Sequence, residues 1–310
     1  MQLSLVLPCY NEEEVLNETS SQLLTLIRSL IASGKIDENS TIYFVDDGSR
    51  DNTWEIIKKL SEEHKQISGI KLSRNFGHQN ALLSALMTVE GDAIISIDAD
   101  LQDDITMIEK MIDLHRDGYD IVYGVKRKRE ADSLFKRITA KGFYKMMHLL
   151  DADVIYNHAD FRLLSRRAVE ELREFKEVNL FLRGLIPLVG FKSTSVTYDI
   201  SERTAGESKY PPAKMLAFAW NGVSSLSITP LRFITAAGFI LFVSTLILTV
   251  YSAWIALFTN EAVPGWASTV LPIYFIGGVQ MLSVGVIGEY IGKIYLEVKG
   301  RPRFIIEETA

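Results

Sequence analysis

Ile94-Ile95-Ser96-Ile97 is an apolar run of the kind that fills a buried strand, and it stops abruptly in Asp98-Ala99-Asp100-Leu101-Gln102-Asp103-Asp104. A strand that ends in four carboxylates and an amide opens into a charged site, and such a site needs a cation. In an extended segment the side chains of Asp98 and Asp100 point the same way. They are placed to share one hard divalent ion, with Gln102 as a third oxygen donor. Taken alone, a D-x-D is short enough to fit a pair of surface acids equally well. Asp103 and Asp104 precede Ile105-Thr106-Met107-Ile108 and suit a first helical turn, so at least one of them is expected to be a helix cap.

The chain before this stretch alternates strands and helices. Strands are expected over Leu3–Pro8, Thr41–Val45, Gly69–Ser73, Ala93–Ile97 and Asp120–Tyr123, and helices over Glu12–Ile31, Thr53–His64, Gly77–Thr88 and Ile105–His115. That rhythm predicts a mostly parallel, three-layer α/β sheet with right-handed crossovers, whose ligands collect at the carboxyl ends of the strands. Polar clusters sit at those ends: Pro8-Cys9-Tyr10-Asn11-Glu12 after the first strand, and Asp46-Asp47-Gly48-Ser49-Arg50-Asp51-Asn52-Thr53 after the second. With Asp98-Ala99-Asp100 they make a pocket rich in hydrogen-bond acceptors, with Gly48 allowing close backbone approach. Acceptors suit the imide and hydroxyls of a nucleoside, and a metal would bridge its diphosphate.

After Gly124 the pattern changes. Lys126-Arg127-Lys128-Arg129, Lys136, Arg137, Lys141 and Lys145 form a basic segment, with a helix expected over Ser133–Leu149. A solvated helix face and a contact with a membrane surface are the competing accounts of it. A short strand is expected at Asp160–Leu164 and a helix at Arg166–Arg173. Ser201 to Pro212 is polar, marked by Gly and Pro, and reads as a mobile loop.

The 47% apolar content is unevenly placed: neither Phe233–Asn260 nor Ala262–Gly288 contains an Asp, Glu, Lys or Arg. Each run exceeds the roughly 20 apolar residues that span a bilayer, so a transmembrane hairpin is expected, with spans at about 233–259 and 266–288. Lys214–Ile228 reads as an amphipathic helix at the membrane interface. The expected organisation is a catalytic α/β domain over 1–210, a juxtamembrane helix over 211–230, the hairpin over 231–290 and a tail over 291–310. Met1–Pro8 lacks a basic n-region and reads as a strand, while Arg232, Lys293, Lys299, Arg301 and Arg303 flank the spans. The expected location is therefore a bacterial inner membrane, multi-pass, with the catalytic domain and both termini cytosolic. Gly277, Gly278, Gly285, Gly288 and Gly292 suggest close helix packing and a homo-oligomer. A net charge of −6 argues against nucleic acid as a partner. The single cysteine, Cys9, excludes an internal disulfide and suits an inert half-buried thiol at a strand end.

Together, P-x-Y-N-E, V-D-D-G-S-x-D-x-T, S-R-N-F-G-H-Q and D-A-D-L-Q-D resemble the family 2 glycosyltransferases of GT-A fold. Within them the chain is most similar to polyprenyl-phosphate hexosyltransferases, namely dolichyl-phosphate mannose synthase and, closer in layout, bactoprenol glucosyltransferases of the GtrB type. The resemblance covers nearly the whole chain. It implies that Pro8, Tyr10, Glu12, Asp46 and Asp47 bind the nucleotide, with Asp46 or Asp47 toward the base. Arg74, Asn75 and Gly77 line the donor pocket, with Asp98 and Ala99 beside it; Asn75 and Gly77 also suit a strand end and helix cap. Asp98, Asp100 and Gln102 match the metal set, for Mg2+ or Mn2+. Asp160 and Arg162 match the acceptor-side strand, and Arg203, Ser208 and Lys209 a loop that closes over the site. For the lipid phosphate, Arg127, Arg129 and Arg137 are candidates because arginine grips phosphate bidentately.

The reaction so implied is inverting transfer of a hexose, glucose from UDP-glucose in the first instance, to undecaprenyl phosphate. Similar proteins imply a tetramer. GDP-mannose and UDP-aminoarabinose are alternative donors. A processive polysaccharide synthase would carry Q-x-x-R-W, which the chain lacks, and a non-catalytic scaffold or flippase partner is the competing account from another class.

Overall fold

Leu3–Cys9 is seven residues of nearly unbroken apolar chain with every position buried, as a strand covered on both faces must be. The computed structural model describes residues 1–127, 158–199 and 266–310, with parts of the stretch 231–247. The chain begins with β1 (Leu3–Cys9), α1 (Leu16–Ala32), β2 (Thr41–Asp46), α2 (Thr53–Glu63), β3 (Ile67–Leu72) and α3 (His78–Thr88). It continues through β4 (Ala93–Ser96), α4 (Met107–Arg116), β5 (Ile121–Lys126), β6 (His158–Ser165), α5 (Arg166–Leu172) and α6 (Leu182–Leu188). β7 (Ser193–Tyr198), α7 (Trp266–Lys299) and β8 (Ile306–Thr309) complete it.

The eight strands form one sheet in the order β7-β5-β6-β4-β1-β2-β3-β8. β1 pairs in parallel with β2 and β4, β2 with β3, and β5 with β7, while β6 runs antiparallel to β4 and β5 and β8 antiparallel to β3. Side chains alternate across the pleat, so Leu3, Leu5 and Leu7 face one core with α1, α2 and α4. Val6, Val45 and Ile94 face a second core with α3, α5 and α6. The three-layer α/β architecture expected from the alternation is present.

Several boundaries moved. α1 starts at Leu16 rather than Glu12, because residues 11–13 are bonded to the β2–α2 loop instead of to helical neighbours. β5 runs on to Lys126, so the first lysine of the basic segment belongs to a strand end. Strands β7 and β8 and helix α6 were not anticipated. β8 covers the outer edge of β3: Trp54 Nε1 donates to Glu308 at 3.2 Å, Lys71 pairs with Glu307 at 3.3 Å, and Ser68 Oγ donates to the Ala310 carbonyl. Glu297 near the end of α7 accepts from the Val178 and Asn179 amides at 2.9 and 2.8 Å, and so ties that helix to the α/β domain.

Among the described residues no helix is long and apolar enough to cross a membrane. α7, which contains the expected second span, runs unbroken from Trp266 to Lys299 with Pro272 inside it and carries Glu289, Lys293 and Glu297 toward its end. The expected transmembrane hairpin is unsupported, and the multi-pass inner-membrane location is corrected accordingly. The expected helices at 133–149 and 214–228 lie outside the described residues.

Candidate active site

The first strand ends are laced by hydrogen bonds that their polar residues were placed to make. The Asp47 amide donates to the Cys9 carbonyl at 2.9 Å, the Asn11 amide to Ser49 Oγ at 2.9 Å, and the Arg50 amide to Asn11 Oδ1 at 2.8 Å. The Glu12 amide donates to Thr53 Oγ1 and the Glu13 amide to Asp51. Asn11 holds this corner at φ +56°, a conformation that asparagine tolerates better than most residues. Pro8 is buried within β1, while Tyr10 is exposed at its mouth. Cys9 is fully buried rather than half-buried, and burial, with Glu12 and Asp46 nearby, pushes its thiol well above the ordinary range. A thiol so placed is inert.

Asp46 and Asp47 are both buried but differ in function. Asp47 accepts from the Phe76 and Gly77 amides at 2.7 and 2.9 Å, so its carboxylate ties the β3–α3 loop to the end of β2. Asp46 accepts from the Ser49 amide through Oδ1, and its buried Oδ2 has no hydrogen-bond partner. Burial raises both carboxyls above their ordinary value. Gly48 packs against the same loop at φ +68°; a Cβ there would lie 2.4 Å from the Arg74 carbonyl carbon. Arg74 lays its guanidinium over the Phe76 ring at 4.0 Å, and Gly77, at φ +91°, caps α3. Gly77 therefore bonds to Asp47, and Arg74 and Asn75 pack against Gly48.

The β4 end carries the D-x-D. Ala99 is 4% exposed and its carbonyl accepts from Thr19 Oγ1 on α1, so its side chain belongs to the core. Beyond it Leu101 sits at φ +54°, strained for a branched residue, and the Gln102 amide donates to Asp100 Oδ1 at 3.2 Å. Asp104 accepts from the Thr106 amide and hydroxyl in the turn ahead of α4, whose N-cap is Thr106, so neither of the last two acids is the N-cap itself. Asp103 goes elsewhere: it is buried and bonded to Tyr198 and Lys126.

β6 completes the site. Its antiparallel register sets Arg162 opposite Ser96, which carries Asp160 toward Asp98. Asp160 pairs with Arg162 on its own strand and with Arg183 of α6, whose Nη2 lies 3.0 Å away. His78, at the start of α3, bridges the two acids, with Nε2 3.4 Å from Asp160 and 3.7 Å from Asp98. Burial would raise the Asp160 carboxyl, but Arg162, His78 and Arg183 outweigh it and hold it well below the ordinary range. For Asp98 the balance runs the other way. Burial, then Asp103, Asp160 and Asp100, outweigh His78 and push it up to about 6.

Asp98, Asp100, Gln102, Asp160, Arg162, Asp46, Asp47 and Glu12 thus lie on strand ends or strand-end loops of one sheet. Arg127 is exposed just past β5 and pairs with Asp199 at 2.9 Å. Arg129, Arg137, Arg203, Ser208 and Lys209 lie outside the described residues. Sequence reasoning missed His78, although it stands inside S-R-N-F-G-H-Q; it also missed Arg183, Tyr198 and the partners of Asp103. Among the described residues no group of three or more His, Cys, Asp or Glu is arranged as a metal centre; a cation here would rest on two carboxylates and an amide.

Residues 4–173 match the model of glycosyl transferase family 2. The chain belongs to that family. This family 2 glycosyltransferase is 50% identical over 307 residues to the uncharacterized glycosyltransferase YkoT of Bacillus subtilis (strain 168), covering 98% of this chain and 91% of the relative. It is 38% identical over 313 residues to the bactoprenol glucosyl transferase of Shigella phage SfII, covering 100% and 98%. A mycobacterial protein solved by crystallography is 17% identical, with a TM-score of 0.50 and 73% of each chain covered, a likeness of fold. The glycosyltransferase has a GT-A-like α/β fold on a mixed, mostly parallel sheet.

Proposed function

We propose that this glycosyltransferase moves a hexose from a nucleotide sugar, UDP-glucose in the first instance, onto a polyprenyl phosphate with inversion at the anomeric carbon. The observation that carries the acceptor is full-length similarity to relatives named bactoprenol glucosyl transferase. Three laced strand ends supply the donor pocket. Asp46, which keeps an oxygen without a partner, suits the imide of the base better than Asp47, which is committed to the β3–α3 loop.

Asp98, Asp100 and Gln102 fit Mg2+ or Mn2+: all three offer hard oxygen donors, and Asp98 is raised by burial and by the neighbouring Asp103, Asp160 and Asp100, which a bound cation would offset. When bound, the ion supplies Lewis-acid stabilisation of the leaving diphosphate. The acceptor phosphate has a second pKa near 6, so its oxygen is already mostly anionic at neutral pH. It attacks the anomeric carbon as the bond to the diphosphate breaks. Little deprotonation is needed, and Asp160, pinned between Arg162 and Arg183, orients those cations and His78 rather than taking a proton. Their positive charge offsets repulsion between the two phosphate groups.

The test is transfer by the purified chain from a panel of UDP- and GDP-sugars to a short polyprenyl phosphate with Mg2+ or Mn2+. UDP-glucose is expected to lead, and Asp100→Ala to abolish transfer while remaining folded. Absence of transfer from every donor, or full activity in Asp100→Ala, refutes the proposal.

A further inference from the structure

The D-x-D loop joins β4 to α4 and must hold Asp98, Asp100 and Gln102 in one arrangement, although no regular element constrains it. It has two lateral anchors. Before the last donors, the Ala99 carbonyl accepts from Thr19 Oγ1 on α1 at 2.8 Å. After them, Asp103 turns inward, 3% exposed, and its Oδ1 accepts from the Tyr198 hydroxyl at 2.5 Å and lies 3.1 Å from Lys126 Nζ. Tyr198 ends β7 and Lys126 ends β5, two strands paired in parallel with these residues in register. The Tyr198 ring is itself fixed edge-on to Phe161 of β6, at 5.5 Å between centroids. Asp100, Leu101 and Gln102 are thus suspended between α1 and the β5–β7 pair, with the strain at Leu101 held by both ends. Asp103 Oδ2 is buried with no hydrogen-bond partner, so the acid is kept there at a cost that packing alone does not explain.

We infer that Asp103 is a positioning residue for the cation site, acting through Tyr198 and Lys126 to fix the far end of the D-x-D loop. The inference rests on the metal role proposed for Asp98, Asp100 and Gln102. Groups that orient ligands from behind typically change metal affinity by about 10–100-fold when removed. With the second anchor cut, Gln102 and Asp100 hinge about Ala99, and the cation loses preorganised donors.

The probe is Mn2+ itself, added to the full chain and followed by the electron paramagnetic resonance signal of the free ion, with and without UDP. Tyr198→Phe removes one hydroxyl and Asp103→Asn removes the charge opposite Lys126; both are expected to weaken Mn2+ binding about tenfold or more. Asp120→Asn is the control: it removes a buried carboxylate from the opposite end of β5, held there by Ser165 and Arg167. It is expected to lower thermal stability and leave Mn2+ affinity unchanged. Wild-type affinity in both Tyr198→Phe and Asp103→Asn, with Asp100→Ala defective, overturns the role of Asp103 and leaves the metal site standing. A wild-type chain that binds no Mn2+ with or without UDP overturns the metal site and this inference together.

Discussion

Asp160→Asn separates the charge of this residue from its shape. The Arg162 guanidinium is 1% exposed, and its Nη1 already lacks a partner. With the carboxylate gone, a buried cation is left facing an amide and a backbone carbonyl 3.4 Å from its Nε. Removing one partner of a buried ion pair costs about 3–5 kcal/mol. Arg183 is a third exposed and can turn to water, so it adds little. The Asn oxygen still accepts from Arg162, which places the expected loss near about 3 kcal/mol, or a melting temperature lower by about 6–12 °C.

The pH dependence follows from the sign of the shift. The folded Asp160 carboxyl lies below its unfolded value of about 3.9. Its contribution is therefore fully present above that value and is lost only as pH falls through the lower folded one. The deficit of Asp160→Asn should be large at neutral pH and shrink only in strong acid. Asp160→Asn/Arg162→Met, which removes both charges, should recover most of the loss. Thermal unfolding by circular dichroism reads all three proteins. A single variant melting with the wild type, or a double variant melting lower still, refutes the reasoning.

Gly48→Ala is expected to destabilise by about 2 kcal/mol or more, because a Cβ at φ +68° would meet backbone atoms of Arg74 and Asn75 within 2.5 Å. Equal denaturant midpoints for the two proteins would contradict this. Asp120→Asn should cost about 2 kcal/mol, since the acid is buried and accepts from Ser165 and from Arg167, whose guanidinium holds its carboxyl below the usual range. That deficit is present above the unfolded value of about 3.9 and closes as pH falls through the lower folded value; a deficit that grows in acid would rule out the pairing.

What the sequence revealed was what local pattern encodes. Buried strands β1, β2 and β4 announce themselves as apolar runs, and their polar termini mark the binding edge, because ligands gather where parallel strands end. The D-x-D alone was ambiguous, and its meaning came from a family resemblance that the added motifs carry. β7 and β8 were missed because their buried residues are few and their partners lie far along the chain: the register of β8 with β3 joins residues more than two hundred positions apart. Arg183 and Tyr198 are invisible for the same reason, since each matters only through a carboxylate brought to it by the sheet. Asp and Asn favour helix starts, which groups Asp103 with Asp104 in the sequence, yet only Asp104 bonds into the turn before α4 and Asp103 points to Tyr198 and Lys126. The charge-free runs were read as a hairpin from their length and flanking charges, whereas among the described residues no helix is long and apolar enough to cross a membrane.

The carboxylates of this pocket sort themselves by what faces them, and the sorting indicates where an incoming charge is wanted. Asp47 has two backbone amides, Asp104 a threonine, Asp103 a tyrosine and a lysine, and Asp160 two guanidiniums. Asp98 has a histidine at 3.7 Å, and its burial, with Asp103, Asp160 and Asp100 nearby, raises it to about 6. A carboxyl with a folded value above its unfolded one destabilises the fold increasingly as pH rises from the unfolded value to the folded one and fully above it, and has no effect when both states are protonated. Asp98→Asn should therefore stabilise the metal-free protein at neutral pH. The gain is on the order of 1 kcal/mol, because a side chain about a third exposed is screened by water. It should vanish below about pH 4. Saturating Mn2+ should reverse the order: the wild type gains binding energy that the variant has lost, and its melting temperature rises above that of Asp98→Asn. Calorimetric scans with and without Mn2+ measure both effects, and a metal-free Asp98→Asn protein less stable than the wild type at neutral pH would show that Asp98 is held by partners rather than left for a cation.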